Sequence, residues 1–371
     1  MRRTLNQLIT LVIFSLAAFS LNAAEVLREY WSYDDYLTAH PQQQAWVNEL
    51  RHSVLGPASP ISIQLTAPIR IDLMQPTVQI SSYWWRNLKA MEKRLTELGI
   101  VYEINLIHTK PNSDQRAEIE AMSSILENKP DYLVLTLNTN KQRQLIEHAL
   151  KTSDSKVILQ NITGPVKAWG KSQPFMYVGF DHEEGAKILA DYFNQALPLM
   201  SQYGILYYSP GYISDARGDT FVSAMKKAGN HQLVSAFYTQ ATLDSAYSAT
   251  LKMLAEHQHL NMIYACSTDI ALGAIKAIKE TGRSEVMVNG WGGGDSELVE
   301  LKNDNMEATI MRMNDDTGVA IAEAIRRDLL GLPVPTVFSG DFELVTERDS
   351  HQKIDQLSAK AFRYSGQYAS P

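Results

Sequence analysis

Tyr132-Leu133-Val134-Leu135-Thr136-Leu137 and Lys156-Val157-Ile158-Leu159-Gln160-Asn161 are short apolar runs separated by a helical stretch. A strand with one wet face alternates apolar and polar residues, whereas a continuous apolar run needs helices over both faces, as in a parallel sheet. Working outward, Ile69-Arg70-Ile71-Asp72-Leu73-Met74 reads as the first strand. The segment from Tyr83 to Leu98 has helical spacing, with Leu88, Met91, Leu95 and Leu98 on one face and Gly99 as its stop. A strand over 101–107 and a helix from about Asp114 to Leu126 complete this half.

Thr163-Gly164-Pro165 breaks the alternation, which restarts at Phe175-Met176-Tyr177-Val178-Gly179-Phe180. Strands are then predicted at 204–208, 233–238, 262–266 and 285–289, each followed by a helix. The last segments read as a helix at 296–302, a strand at 308–313, a helix at 317–330 and an extended run at 334–344. Roughly 280 residues after Ile69 exceed one ordinary core. The predicted fold is therefore α/β, two Rossmann-like lobes joined by a three-crossing hinge near 161–165, 289–292 and 314–316. Residues 69–163 with 291–315 would form one lobe, 164–290 with 316–345 the other, and 346–371 a C-terminal tail. Residues 25–68 form an N-terminal extension whose stretch Tyr33 to Leu55 reads as a helix packed over one lobe.

Met1-Arg2-Arg3, the apolar run from Leu8 to Leu21 and Asn22-Ala23-Ala24 read as a signal peptide over residues 1–24. The run is shorter than the roughly 20 residues of a membrane anchor. The expected location is the periplasm. A single cysteine, Cys266, excludes an intramolecular disulfide and reads as a buried strand residue. The formal charge of −7 argues against nucleic acid and anionic lipid as partners.

Ligands of open α/β sheets lie at the carboxyl ends of the strands. That rule selects Gln79, Ser81, Trp84, Thr136, Asn161, Arg217, Thr268, Trp291 and Arg312 as ligand-binding candidates. Asn289-Gly290-Trp291-Gly292-Gly293-Gly294-Asp295 lacks the Lys-Ser/Thr of a phosphate loop and reads as a turn that brings backbone close to a ligand. Neither a Gly-x-Ser-x-Gly elbow nor a His-Glu-x-x-His helix occurs, and the nine histidines are scattered, so neither an enzyme nor a metal site is expected. Amides, hydroxyls and indoles suit a polyhydroxylated ring, but guanidinium groups only donate. Two of them imply an acceptor-rich, negatively charged ligand; the alternative is that either arginine forms a structural pair with a nearby carboxylate such as Asp215, Asp219, Asp315 or Asp316.

Tyr177-Val178-Gly179-Phe180-Asp181-His182, Gly211-Tyr212-Ile213-Ser214-Asp215, Tyr264-Ala265-Cys266-Ser267-Thr268-Asp269-Ile270-Ala271-Leu272-Gly273 and Asn289-Gly290-Trp291-Gly292-Gly293-Gly294 together resemble the LuxP-type periplasmic receptors for autoinducer 2. The likeness runs from Tyr30-Trp31 to Ala361-Phe362-Arg363-Tyr364-Ser365. More widely, the chain resembles the ribose-type periplasmic binding proteins of type I fold. It departs from the sugar binders at Thr268, where they usually have asparagine, and at Trp291, near which they commonly have aspartate. The resemblance implies a quorum-sensing receptor for the cyclic borate diester of autoinducer 2, with boron entering as part of the ligand and no separate cofactor. Arg217 and Arg312 would flank the borate, Gln79, Ser81, Thr136, Asn161 and Thr268 would bond ring oxygens, and Trp84 and Trp291 would enclose them. The implied partner is a membrane hybrid sensor kinase of LuxQ type, in a two-component system. The alternative is a sugar-binding component of an ABC transporter.

Overall fold

The computed structural model describes residues 27–76, 79–109, 115–138 and 140–366. The expected signal peptide lies outside them. Two six-stranded sheets organise the chain. The first holds β1 (Ile69–Pro76), β2 (Tyr102–Thr109), β3 (Tyr132–Thr136), β4 (Lys156–Gln160), β5 (Met176–Phe180) and β11 (Val337–Gly340). Its order is β11-β5-β4-β3-β1-β2, parallel throughout. The second holds β6 (Gln202–Tyr207), β7 (Gln232–Tyr238), β8 (Leu260–Ala265), β9 (Met287–Gly292), β10 (Ala308–Arg312) and β12 (Phe342–Thr346). Its order is β12-β10-β9-β8-β6-β7, with only β12 antiparallel to its neighbour.

The apolar strands are covered on both faces, as their composition requires. Leu73, Val134, Ile158 and Val178 are buried with Leu88, Met91 and Leu95 of the helix Tyr83–Glu97 and with Val319, Ile321 and Ile325 of the helix Asn314–Leu329. In the second lobe Ile205, Ile263 and Ile310 are buried with Leu189 and Phe193 of the helix His182–Ala196. Asp181 starts that helix by accepting from the amides of Glu183 and Glu184 at 3.0 and 3.2 Å. The helix Thr268–Thr281 ends at a glycine stop, with Gly282 left-handed at φ 68°.

The lobe boundaries differ from those expected. After Thr163-Gly164-Pro165 the chain makes a short excursion through the 3-10 turn Lys167–Trp169 and returns to the same sheet, pairing Met176 with Ile158. The first crossing therefore follows Phe180, not residues 161–165. Asn289 to Gly292 is a paired strand inside the second sheet, so no crossing lies there either, and β10 places 308–312 in that lobe rather than the first. The second crossing falls between Arg312 and Asn314, close to the expected 314–316, and the third at Asp341 between β11 and β12. The helix Asn314–Leu329 and β11 consequently belong to the first lobe, although residues 316–345 were assigned to the second. Turn-forming residues mark where a chain bends but not which sheet it rejoins.

The extension forms helices Tyr33–Ala39 and Pro41–Leu55, and Val47, Leu50 and Val54 are buried against the first lobe. The helix His351–Ala361 packs on the second lobe through Ile354 and Ala361, after which the tail crosses to the first. Among the described residues, no helix is long and apolar enough to cross a membrane.

Candidate functional site

Between the lobes, at the carboxyl ends of both sheets, lies a small cavity partly open to solvent. Its walls include Gln79, Ser81, Trp84, Asn161, Arg217, Thr268, Trp291 and Arg312. Eight of the nine candidates therefore converge on one small volume, from segments far apart in sequence. Thr136 does not. It faces a separate hollow with Met74, Met122 and Leu135 in the first lobe, while Asn138, two residues on, lines the interlobe cavity. The strand-end rule fixes the height of a residue, not the side on which it lies.

Arg217 comes from a π-helical segment, Asp215–Asp219, a form of backbone that often marks functional positions. Its guanidinium lies 4.2 Å above the Trp291 ring and donates from Nη1 to the Cys266 carbonyl at 2.8 Å and from Nε to His182 Nδ1 at 3.4 Å. Arg312, at the end of β10, stacks 4.2 Å from the Tyr83 ring and 5.7 Å from Phe180. Its Nε has no hydrogen-bond partner among the described residues. The two residues are 4% and 5% exposed, and no carboxylate pairs with either among the described residues. Burial, then the neighbouring Arg312, pulls Arg217 down to about 10, and burial also lowers Arg312. Both remain cations at neutral pH. Asp215, Asp219, Asp315 and Asp316, any of which could have neutralised them, face elsewhere: Asp315 takes the backbone of Tyr364 and Ser365, and Asp316 takes Arg363.

The neutral wall is equally ordered. Gln79 donates to the Tyr208 hydroxyl at 3.0 Å across the lobes and accepts from Trp84 Nε1 at 3.3 Å. Asn161 adopts φ 64°, tolerable for asparagine, and its Oδ1 has no partner among the described residues. Trp291 is fixed by its Nε1 donating to Tyr264 Oη at 2.8 Å and by Glu297, whose carboxylate accepts from the Trp291 and Gly293 amides and the Thr309 hydroxyl. Gly293 has φ 67°, and a Cβ there would lie 2.6 Å from Met311 Cβ, so the glycine-rich run is a tight turn against β10. Tyr83, Tyr208, Ile213, Ser267 and Asp269 also line the cavity and were not anticipated. Tyr208 and Ser267 follow directly on β6 and on the Cys266 run, so the strand-end rule could have found them. Asp269 is invisible to that rule, because it acts by accepting the Ile80 amide from the other lobe at 3.1 Å. Among the described residues no group of three or more His, Cys, Asp and Glu side chains is arranged to hold a metal.

Beside the site, Asp215 and Asp219 each bury a carboxylate oxygen without a partner, and Tyr207 donates to the other oxygen of Asp219 at 2.6 Å. Burial, then Asp219, raises Asp215 to about 8, and burial raises Asp219 to about 6. Both values lie above the ordinary 3.8, so the folded chain retains protons that the unfolded chain releases. The stability contributed by the pair is complete below about pH 4 and is lost as pH rises through 6 and 8. Asp215→Asn is thus expected to exceed the parent protein in stability by more than about 1 kcal/mol at pH 8, an energy equivalent to one pKa unit. The gap should close toward pH 5, as followed by thermal unfolding at both values.

A family model described as periplasmic binding protein domain matches residues 71–331. The D-ribose/D-allose-binding protein of Pseudomonas aeruginosa is 25% identical over 205 residues, 54% of this chain and 63% of that protein. The ribose import binding protein RbsB of Escherichia coli is 24% identical over 184 residues, 48% of this chain and 60% of its own length. The matches thus span less than two thirds of either relative. Among solved structures, a solute-binding protein from Agrobacterium vitis bound with α-D-tagatopyranose superposes with a TM-score of 0.70 at 17% identity, covering 78% of this chain and 98% of the other. A galactofuranose binding protein superposes at 0.68 and 16%, covering 79% and 100%. These likenesses show the two-lobe fold. The relatives are binding proteins, not enzymes.

Proposed function

The chain belongs to the periplasmic binding protein family, which places its work in the periplasm, and from that premise we propose that it is a receptor for a small anionic, sugar-like ring held between the lobes. The ligand expected from the resemblance is the furanosyl borate diester of autoinducer 2. One observation carries this reading: Arg217 and Arg312 point two buried guanidinium groups at one cavity, and neither has a carboxylate partner among the described residues. An uncompensated buried cation is costly, and a tetrahedral borate ester supplies one negative charge with oxygens to accept from both. Asn161, Ser81 and Gln79 offer the amides and hydroxyl suited to ring oxygens, and Trp84 and Trp291 offer flat apolar faces.

Gln79 with Tyr208, and Ile80 with Asp269, are bonded across the cleft, so lobe closure and ligand enclosure are one event. A ligand drives such closure only through contacts that are stronger in the closed form. The change in lobe relation is what a membrane hybrid sensor kinase of LuxQ type would read. The second reading, a sugar-binding component of an ABC transporter, is favoured by the relatives named for ribose and allose.

Borate separates the two. Calorimetric titration with the autoinducer 2 precursor is expected to show affinity at least about tenfold higher with borate than without it. D-ribose at the same concentration should not compete. Borate-independent binding together with displacement by ribose would establish the import reading instead.

A further inference from the structure

We infer that His182 sets the charge preference of the cavity, by orienting Arg217 without neutralising it; this deepens the anionic-ligand reading and rests on it. His182 opens the helix His182–Ala196, is fully buried, and sits between Asn161 and Arg217. One ring nitrogen, Nε2, is 3.0 Å from the Asn161 carbonyl and the other, Nδ1, is 3.4 Å from Arg217 Nε. Chemistry fixes the tautomer. Arginine can only donate, so Nδ1 accepts; a carbonyl can only accept, so the proton lies on Nε2. The ring has no second proton to give.

The neighbours keep it that way. Burial first, then Arg217, with Arg312 adding to the same effect, hold the imidazole well below its ordinary titration range, against an opposing contribution from the Asn161 carbonyl. Tyr212 and Trp291 pack against the ring with centroids 6.1 and 5.7 Å away. Arg217 and Arg312 are therefore the charged groups that face it. A buried arginine is ordinarily held by a carboxylate, as Arg94 is held by Glu323 elsewhere in this chain. Arg217 is held instead by an imidazole and the Cys266 carbonyl, both uncharged. Its geometry is fixed while its full charge stays available to the ligand. The same ring also supports the left-handed Asn161, which lines the cavity and whose buried Oδ1 has no partner among the described residues.

His182 is thus a positioning residue that decides specificity, and its test compares charge with shape. His182→Asp places a carboxylate beside Arg217, His182→Asn retains a neutral acceptor, and His182→Leu offers neither. Each is titrated with the autoinducer 2 precursor in borate buffer and without borate, and folding is checked by circular dichroism and thermal unfolding. The parent protein in the same series tests the anionic-ligand reading separately, through its borate dependence. Expected is an order of loss Asp greater than Leu greater than Asn, with Asp losing at least about thirtyfold, the lower end for disrupting a buried charged contact. Only Asp should abolish the borate preference, a result that a merely structural role would not produce. If Asp does not fold, the neutral pair decides: Leu must lose at least about fivefold more affinity than Asn. A parent protein that prefers borate, with Asp retaining that preference or with Asn and Leu equal, overturns the assignment.

Discussion

Arg217→Ala and Arg312→Ala are each expected to weaken binding of the anionic ligand by about 2–5 kcal/mol, the range for removing one partner of a buried charged contact. In dissociation constants this is a rise of roughly thirtyfold to several thousandfold. Folding should not suffer in parallel. Each guanidinium is buried with no carboxylate partner among the described residues, so its removal relieves a desolvation cost while forfeiting only contacts with neutral groups. Arg217→Lys should recover only part of the loss, because an ammonium cannot hold the Cys266 carbonyl and His182 at once and still present two donors to the cavity. Titration calorimetry gives the affinity and thermal unfolding the control. Parent-like affinity in both alanine variants would remove the cavity from consideration as the ligand site.

The strands and helices were legible because their burial demands are local: Val134, Leu135, Val157 and Ile158 have both faces covered, and their apolar runs say so. The cavity was largely legible for a related reason, since strand ends are where a parallel sheet exposes side chains to a facing lobe. Arg217 is the instructive case. It lies in the π-helical turn Asp215–Asp219, and no spacing rule anticipates an i to i+5 bonding pattern. The hinge was misplaced at two of three crossings, because the contacts that return Met176 to Ile158 and hold β11 beside β5 join residues distant in sequence. In the sequence His182 is one of nine scattered histidines. Only the fold brings it between Asn161 and Arg217.

Arg94 ties both chain extensions to the first lobe, and Arg94→Ala is expected to produce the largest loss of stability. The Arg94 side chain is fully buried. Its Nε donates to Glu323 at 2.7 Å, Nη1 to the Tyr364 hydroxyl at 2.6 Å, and Nη2 to the carbonyls of Ser53 and Gly56 at 2.7 and 3.2 Å. One guanidinium therefore joins the helix Tyr83–Glu97, the helix Asn314–Leu329, the end of the N-terminal extension and the C-terminal tail. Truncating it leaves a nearly inaccessible Glu323 with only Arg326, 3.6 Å away, to compensate. Breaking a buried pair in this way costs about 3–5 kcal/mol, and the remaining Arg326 places the expectation at the lower end. For a lobe of this size each kcal/mol corresponds to about 2–4 °C, so thermal unfolding should fall by roughly 6–12 °C. Arg94→Met combined with Glu323→Leu should recover much of that loss, because exchanging a whole ion pair for apolar packing is far milder than orphaning one charge. An alanine variant melting within about 2 °C of the parent would mean that the two extensions are held by their apolar contacts, Leu50 and Val54 among them, and not by the arginine.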